Sequence, residues 1–335
     1  MTDGVLITGG AGFIGSHAAE ALLGAGETVH VLDDFSTGRR ENLAGLAGAL
    51  EVVEGDVRDR ETVAAALRGC DRVLHLAAIA SVARSFDDPA TTEAVNVGGT
   101  ANVLAAAATA GARRVVLASS CAVYGAAGEL PIAETAPTHP ESPYARSKLA
   151  GETLCRAACD RGRLDAGVLR FFNVFGPRQD PSSDYSGVIA IFMERISAGR
   201  PCTVYGDGHQ SRDFVFVADV VTACRAALDG RPLEATPVNI GTGVETSVAD
   251  VLAALAGASA REPVVRFAAA REGDIRHSRA ACGRAADLLD FRSTVTFADG
   301  LAATWSWYAA RRAEAAAGVA GAAPTALESA SRRSR

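Results

Sequence analysis

The feature that most limits the fold of this chain is an alternation, in its first half, of apolar strand-like runs with alanine-rich helical stretches. The runs are VLITG (5–9), TVHVLD (28–33), LEVVEGD (50–56), RVLHLAA (72–78) and RRVVLASS (113–120), with helical patterns between them, such as 17–25, 61–68 and 94–110. Strands that are apolar throughout and separated by helices form a parallel sheet covered on both faces. The sequence therefore predicts an α/β fold with a doubly wound parallel sheet, whose ligand lies at the carboxyl ends of the strands.

After about residue 172 the alternation becomes irregular. A loop rich in Gly, Pro, Ser and Asp (176–187) precedes a helical stretch at 188–198, and strand-like pieces follow at 202–206, 213–217, 237–240 and 264–267. We interpret residues 1–172 as the main domain, with a returning segment at about 213–241. A smaller, interleaved C-terminal substrate lobe then comprises 173–212 and 242–312, and the tail 313–335 is expected to be frayed or disordered.

Composition and charge exclude several classes of function. The 335 residues are 48% hydrophobic, enough for a large core, and the formal net charge of -6 without a long basic run argues against a nucleic acid partner. We find no basic leader and no apolar window of membrane-spanning length, so we expect no membrane partner and a cytoplasmic location. Seven scattered cysteines and six histidines lack metal-ligand spacing; we expect no metal, and core thiols in a reducing compartment.

A glycine-rich turn, GGAGFIG (9–15), follows the first strand directly and opens an amphipathic helix. Without side chains at Gly9 and Gly12, the backbone can turn tightly and approach a pyrophosphate at the helix N-terminus. Asp33 ends the second strand, where a carboxylate accepts the ribose hydroxyls and repels a 2′-phosphate, which favours NAD over NADP. Arg39 and Arg40 lie several residues further on and are interpreted as surface arginines.

The residues alone also suggest roles for Asp56 and for a Tyr144, Lys148 and Ser120 group. Asp56 ends the third strand, where it suits the adenine amino group, but a turn-forming role is an equally good interpretation. Tyr144 and Lys148 stand four residues apart at the start of a helical stretch, so they share a helix face. Of the 33 Lys+Arg residues, Lys148 is the only lysine. An adjacent ammonium lowers the pKa of a tyrosine, and Ser120 at the end of the fifth strand completes an acid/base triad.

With these residues in hand, the sequence resembles the extended short-chain dehydrogenase/reductase family, and within it the UDP-hexose 4-epimerases. The resemblance runs from about residue 4 to 308. It rests on TGGAGFIG, DDFSTG, GDVRD, HLAA, VNVGGT, SSCAVYG, SPYARSK, RFFNVFGPRQDP, YGDGHQSRDFVFVADV, NIGTG and REGDIRHS. It implies a Rossmann fold for the main domain, NAD as cofactor, a UDP-sugar substrate, and a homodimer that pairs through helices at about 97–111 and 144–160.

The resemblance also implies functional positions, residue by residue. Cofactor contacts fall on Gly9, Gly12, Phe13, Ile14, Asp33, Asp34, Ser36, Thr37, Gly38, Asp56, Val57, Ala77, Ala78, Asn96, Tyr144 and Lys148. UDP-sugar contacts fall on Ser120, Tyr144, Asn173, Val188, Thr203, Tyr205, Arg212, Arg271, Asp274 and Ser278. Two arginines, Arg212 and Arg271, would pair with the pyrophosphate.

The resemblance also separates the possible reactions, by two positions just before the V-Y-G segment. Related dehydratases and decarboxylases carry acidic residues there, whereas this chain has Cys121 and Ala122. Without a second acid or base, oxidation at carbon 4 and re-reduction from the opposite face remain, which is epimerisation with retained NAD. The alternatives are a nucleotide-sugar reductase or dehydratase of the same fold and a non-catalytic NAD-binding sensor.

The identity of the sugar depends on the position seven residues after Arg271, which is Ser278. In the family this residue lines the far side of the hexose pocket, and a small side chain leaves room for a substituent. We therefore expect UDP-GlcNAc or UDP-glucuronate slightly ahead of UDP-glucose, with Arg84, Arg178 or Arg195 as candidates for holding a sugar carboxylate. The alanine- and arginine-rich, lysine-poor composition resembles that of actinobacterial enzymes, whose antibiotic pathways use a UDP-glucuronate 4-epimerase.

Overall fold

The computed structural model describes residues 4–162, 164–180, 187–270 and 275–321. Its strands are β1 (Gly4–Thr8), β2 (Val29–Asp33), β3 (Leu50–Glu54), β4 (Cys70–His75), β5 (Arg114–Ser120), β6 (Asp165–Phe171), β7 (Asn173–Phe175), β8 (Cys202–Tyr205), β9 (Ser211–Arg212), β10 (Phe214–Phe216), β11 (Pro237–Ile240), β12 (Thr246–Ser247) and β13 (Val265–Ala268). Its α-helices are α1 (Phe13–Gly24), α2 (Arg60–Ala66), α3 (Val82–Asp87), α4 (Pro89–Glu93), α5 (Thr100–Ala110), α6 (Pro143–Asp160), α7 (Val188–Ser197), α8 (Val217–Asp229), α9 (Val248–Ser259), α10 (Gly283–Leu289) and α11 (Phe297–Gly321).

Seven strands form one sheet in the order β3-β2-β1-β4-β5-β6-β11, and every neighbouring pair is parallel. Strand order reverses at β1 and β4, so the carboxyl ends of β1 and β4 flank a crevice. The doubly wound sheet predicted from the alternation is confirmed. Its last strand, β11, comes from the later part of the chain.

The apolar runs are explained by helices on both faces of the sheet. Val5 and Ile7 of β1 pack in the same cluster as residues of α1 and α8, whereas Leu6 between them packs with residues of α2 and α5. Because successive side chains of a strand point to opposite faces, a strand covered on both sides must be apolar at every position.

The smaller lobe has its own core, formed by α7, α9 and α11 around an aromatic cluster. Phe175, Phe214 and Phe297 make ring contacts at 5.3–6.3 Å between centroids. Three two-stranded pairs, β7 with β10, β8 with β13 and β9 with β12, connect this core to the sheet. Helix α11 runs to Gly321, so the described part of the segment after 313 is helical, as its alanine-rich sequence favours. The domain boundaries stay a prediction.

Candidate active site

The glycine-rich turn between β1 and α1 is too crowded for side chains. Gly9 has a φ of +70°, and a Cβ there would lie 2.8 Å from the backbone nitrogen of Ala77. A Cβ on Gly15 would lie 2.2 Å from the carbonyl oxygen of Gly9. Gly12 is the N-cap of α1 and offers no side chain to the first-turn N–H groups. These N–H groups and the positive end of the helix dipole suit a pyrophosphate.

Asp33 lies under this turn and links it to the next loop. Its carboxylate accepts hydrogen bonds from the N–H groups of Ala11 and Phe35, both at 2.9 Å. Burial raises the pKa of Asp33. Gly38 packs so closely that a Cβ there would lie 2.6 Å from Asp33 Oδ1. The turn and the 33–38 loop are therefore fixed to each other.

The other predicted cofactor residues near the turn differ in exposure. Phe13 and Ile14 lie partly exposed in the first turn of α1, whereas Asp34, Ser36 and Thr37 are exposed. Asp34 accepts the N–H and the hydroxyl of Ser36 at 2.9 and 2.6 Å. Asp34, Ser36 and Thr37 belong to the loop that follows Asp33, the last residue of β2.

Arg39 and Arg40 are exposed and engaged by carboxylates. Arg39 pairs with Asp180 at 2.5 Å, and Arg40 pairs with Glu54 and stacks over the Phe35 ring. Both ion pairs fit the interpretation of Arg39 and Arg40 as surface arginines, which does not require them to bind the 2′-phosphate of NADP.

Asp56 has the turn-forming geometry that was its alternative interpretation. Its Oδ1 accepts the N–H of Arg58 at 2.8 Å, and its Oδ2 accepts the guanidinium, which lowers the pKa of Asp56. The side chain of Val57 is buried in the core. The adenine contact at Asp56 stays a prediction.

The Asn96 side chain is hydrogen-bonded to the loop after β4, which carries Ala77 and Ala78. Its amide accepts the N–H of Ile79 at 2.8 Å and donates to Ile79 O at 3.1 Å and to Ser147 Oγ at 2.9 Å. Because both functions of the amide are used, this geometry favours a positioning role for Asn96 over a direct cofactor contact.

A fully buried histidine continues this network. Thr100 Oγ1 donates to Asn96 O at 2.6 Å and therefore accepts from His75 Nε2 at 2.9 Å. His75 Nδ1 then accepts from the Thr8 hydroxyl at 2.7 Å. Burial lowers the pKa of His75 to about 3, so the ring is neutral and holds β1, β4 and α5 together.

The predicted acid/base residues meet at the carboxyl end of β5 and the first turns of α6. Ser142 caps α6 by accepting the N–H of Ala145 at 3.1 Å, and Pro143 occupies the first turn, which sets Tyr144 at the start of the helix. The Ser120 hydroxyl interacts with the Tyr144 phenol and favours its ionised form. Lys148 Nζ lies 5.7 Å from the centre of the Tyr144 ring and donates to the carbonyl of Ala118 at 2.9 Å.

Burial sets the protonation of this group. It raises the pKa of Tyr144 to about 12 and lowers the pKa of Lys148 to about 8. The sequence-based expectation that the ammonium lowers the pKa of Tyr144 does not describe the protein alone, because desolvation is the larger effect. A cation bound beside the phenol, such as an oxidised nicotinamide, would favour the phenolate.

A buried ion pair supports the group from behind. Glu152, one helical turn after Lys148, accepts two hydrogen bonds from Arg170 of β6 at 2.9 and 2.6 Å and a third from the Ser119 hydroxyl at 2.5 Å. The pair thus joins α6, β5 and β6 directly beneath Ser120.

Five predicted UDP-sugar residues line one cavity of about 240 Å³. They are Asn173, Val188, Thr203, Tyr205 and Arg212, and the wall also includes Gln179, Gly187 and Gln210. Arg212 lies within electrostatic reach of Cys121, the neighbour of Ser120. The charge of Arg212 therefore acts on the residue next to Ser120.

Two side-chain oxygens in the cavity wall are buried and receive no hydrogen bond from any residue that the structure describes: Asn173 Oδ1 and Gln210 Oε1. The orientation of Gln210 is fixed, because its Nε2 donates to Tyr205 O at 2.8 Å. Burying an oxygen without a donor is unfavourable, so a ligand with hydroxyl or N–H groups would be stabilised here.

Three other predicted substrate residues lie near the end of the chain. Ser278 is buried, next to His277, which pairs in a β-bridge with Ser211. Arg271 and Asp274 lie outside the described residues.

Comparison with known proteins identifies this arrangement. Residues 5–241 match the family described as "NAD dependent epimerase/dehydratase family". The chain belongs to that family. Its cofactor is NAD, which the uncapped α1 N-terminus and the Asp33 carboxylate fit.

Relatives of this epimerase/dehydratase differ in their named sugars. This chain is 42% identical to a UDP-glucose 4-epimerase of Mycolicibacterium smegmatis, over 90% of this chain and 97% of the relative. A UDP-N-acetylglucosamine 4-epimerase of Methanobrevibacter ruminantium has a TM-score of 0.87 and 32% identity, covering 93% of this chain and 100% of that one. MoeE5 in complex with UDP-glucuronic acid and NAD has a TM-score of 0.83 and 35% identity, covering 92% and 99%.

The sequence analysis missed Gln210 of this epimerase/dehydratase. Gln210 lies in the HQSRD segment two residues before Arg212, so its proximity to a predicted contact was the available signal. It also missed Glu152, whose spacing of four from Lys148 continues the helix face of the triad.

The cysteines form no disulfide bond. All seven cysteines are unpaired thiols. Within the described residues no cluster of His, Cys, Asp and Glu could hold a metal ion, and no helix is long and apolar enough to cross a membrane.

Proposed function

We propose that this chain inverts carbon 4 of a UDP-hexose, by transient oxidation to a 4-keto sugar and re-reduction from the opposite face. The observation that carries the proposal is the triad: the Ser120 hydroxyl beside the Tyr144 phenol, with Lys148 one turn further along the same helix face. Tyr144 takes the proton from the 4-hydroxyl, Ser120 orients that hydroxyl, and Lys148 holds the site's positive charge. Bound NAD supplies the hydride acceptor and donor at carbon 4.

The surroundings of Ser120 favour epimerisation over elimination. Burial raises the pKa of the Cys121 thiol to about 12, so it stays protonated at neutral pH and cannot act as a base. Ala122 has no ionisable group. A dehydratase or decarboxylase would need an acid or base at this place.

The cavity supports a nucleotide sugar as substrate. Arg212 offers a cation for the diphosphate, and the oxygens of Asn173 and Gln210 need donors such as ribose or sugar hydroxyls.

For the sugar, we keep UDP-GlcNAc or UDP-glucuronate slightly ahead of UDP-glucose, because Ser278 is small. Of the three arginines considered for a carboxylate, Arg178 pairs with Glu20 and Arg195 with Glu194. Arg84 is therefore the first to test. It lies on α3, beside Ser85, whose hydroxyl accepts the N–H of Tyr144 at 3.1 Å.

The test is to incubate one preparation with each of the three UDP-sugars and to quantify the C4 epimers, after acid release and identification of bound nucleotide. We expect NAD to be released and at least one epimer to form without added cofactor. No epimer from any sugar would contradict the proposal. A specificity constant for UDP-glucose ten times the others, about 1.4 kcal/mol in transition-state terms, would contradict the argument from Ser278.

A further inference from the structure

A completely buried carboxylate lies outside the triad, between β9 and β10. Asp213 Oδ1 accepts the N–H of Thr242 at 2.8 Å and its hydroxyl at 2.7 Å. Asp213 Oδ2 accepts the N–H groups of Gly243 at 2.8 Å and Ala280 at 3.1 Å. Four donors therefore converge on one side chain, which compensates for burying its charge.

These donors come from different parts of the chain. Thr242 and Gly243 follow β11, the edge strand of the main sheet, whereas Ala280 follows Ser278 by two residues. The backbone oxygen of Asp213 also accepts the N–H of Asn173 at 2.9 Å. Residues of the HQSRD and NIGTG segments and the stretch around Ala280 are thus joined at or beside this residue.

Close packing around the carboxylate leaves little freedom to move. A Cβ on Gly241 would lie 2.8 Å from both Asp213 Oδ2 and Ala280 Cβ. The glycine permits the loop after β11 to approach the carboxylate within hydrogen-bonding distance.

We propose that Asp213 is a positioning residue for the substrate. Its carboxylate fixes Arg212, the residue before it, and the segment that carries Ser278 against the end of β11. The cation for the diphosphate and the far wall of the hexose pocket are thereby held at a set distance from the triad. This inference rests on the proposed function, because it assigns a diphosphate to Arg212.

A second buried carboxylate provides a matched control. Asp219 of α8 accepts the N–H of Thr294 at 3.1 Å, its hydroxyl at 3.0 Å and the N–H of Val295 at 3.1 Å. It is buried and uses the same donor types, but its chain neighbours do not line the cavity, whereas Arg212, the neighbour of Asp213, does. A purely structural role predicts the same consequences for losing either carboxylate.

The experiment compares Asp213→Asn with Asp219→Asn. In each, the new amide turns an N–H towards backbone N–H groups, so we expect both proteins to lose thermal stability. For Asp213→Asn alone we expect the Kd for UDP and the KM for the UDP-sugar to rise at least tenfold, with bound NAD unchanged. Asp219→Asn should keep both constants within twofold of the wild type. Equal changes in the two variants, or loss of NAD from Asp213→Asn, would overturn the proposal.

A milder pair covers the case in which Asp213→Asn does not fold. Thr242→Val removes one donor to Asp213, and Thr294→Val removes the equivalent donor to Asp219. We expect the Kd for UDP to rise about threefold in the first and to stay unchanged in the second; equal values would contradict the proposal. The UDP titration separates the proposed function from the role of Asp213. A wild type that binds UDP but epimerises no sugar refutes the proposed function, and the Kd values of the variants still test the role of Asp213.

Discussion

The two binding regions of the molecule are built differently. On the cofactor side, the predicted residues follow successive strands of one sheet, after β1, β2, β4 and β5, and their buried polar groups pair with one another: Asp33 with the glycine turn, Asn96 with Ile79 and Ser147. On the substrate side, the cavity wall is assembled from β7, α7, β8, β9, β10 and α9. Here Asn173 and Gln210 have buried oxygens that receive no hydrogen bond from the described part of the chain.

This difference separates a scaffold that is complete in itself from a pocket that ligand groups would complete. Changes on the cofactor side should therefore act mainly on folding or on the chemical step. Changes in the cavity should act mainly on affinity.

The largest effect should come from Tyr144→Phe, at the junction of the two regions. Removal of a proton-transfer group lowers kcat by about 10²–10⁴-fold, while the KM stays near the wild-type value. Steady-state kinetics with the best UDP-sugar provide the measurement. Tyr124→Phe is the control for loss of a buried tyrosine hydroxyl, because the Tyr124 hydroxyl donates to Asn239 Oδ1 at 2.6 Å and the Tyr124 ring lies against Arg170. A comparable loss of kcat in both variants would contradict the role of Tyr144.

Breaking the ion pair behind the triad should have the next largest effect. Arg170→Met leaves the Glu152 carboxylate buried without its partner, which costs about 3–5 kcal/mol of unfolding free energy. Urea titration followed by circular dichroism measures this change. Arg276→Met removes an exposed pair with Asp207 and should leave the urea midpoint unchanged. Similar midpoints for the two variants would show that Arg170 contributes no more than a surface residue.

Loss of an acceptor in the cavity should weaken binding without slowing the chemistry. Gln210→Met keeps the length of the side chain but removes Oε1, and a hydrogen bond lost inside a pocket costs about 1.4–2 kcal/mol, or ten- to thirtyfold in KM. We expect kcat at saturation and bound NAD to be unchanged. A KM equal to the wild type would mean that no ligand donor reaches Gln210.

The smallest effect concerns pH and the buried histidine. The pKa of His75 is lowered from 6.5 to about 3, so its contribution to stability is complete above pH 6.5 and is lost as the pH falls from 6.5 towards 3. The slope is about 1.4 kcal/mol per pH unit. Urea unfolding at pH 7.5 and 5.5 should show a drop of about 1.4 kcal/mol that is absent in His75→Gln. The same drop in the variant would assign it to other groups.

The two regions also differ in how far the sequence could predict them. The sheet, the glycine turn and the triad were readable because each lies at a fixed place relative to a strand or a helix turn. The cavity residues came only from resemblance, since no local pattern brings Thr203, Arg212 and Asn173 together.

Three points that the sequence misjudged, left open or missed have physical causes. The pKa of Tyr144 was misjudged because burial cannot be read from spacing. Asp56 took the turn geometry because Arg58 stands two residues away. Asp213 was overlooked because its four donors come from positions 29 or more residues further along the chain.

The single lysine gives this chain an unusual chemical handle. Burial lowers the pKa of Lys148 to about 8, so at mildly alkaline pH a large fraction of the protein molecules carry this side chain as a neutral, nucleophilic amine. The residue is only 8% exposed, so reagents in solvent have little access to it. Any acylation of a lysine side chain in this protein must occur at that one place. The rate at which an amine-reactive ester labels the peptide that contains Lys148, followed by mass spectrometry, thus reports the opening of this one position without any engineered probe.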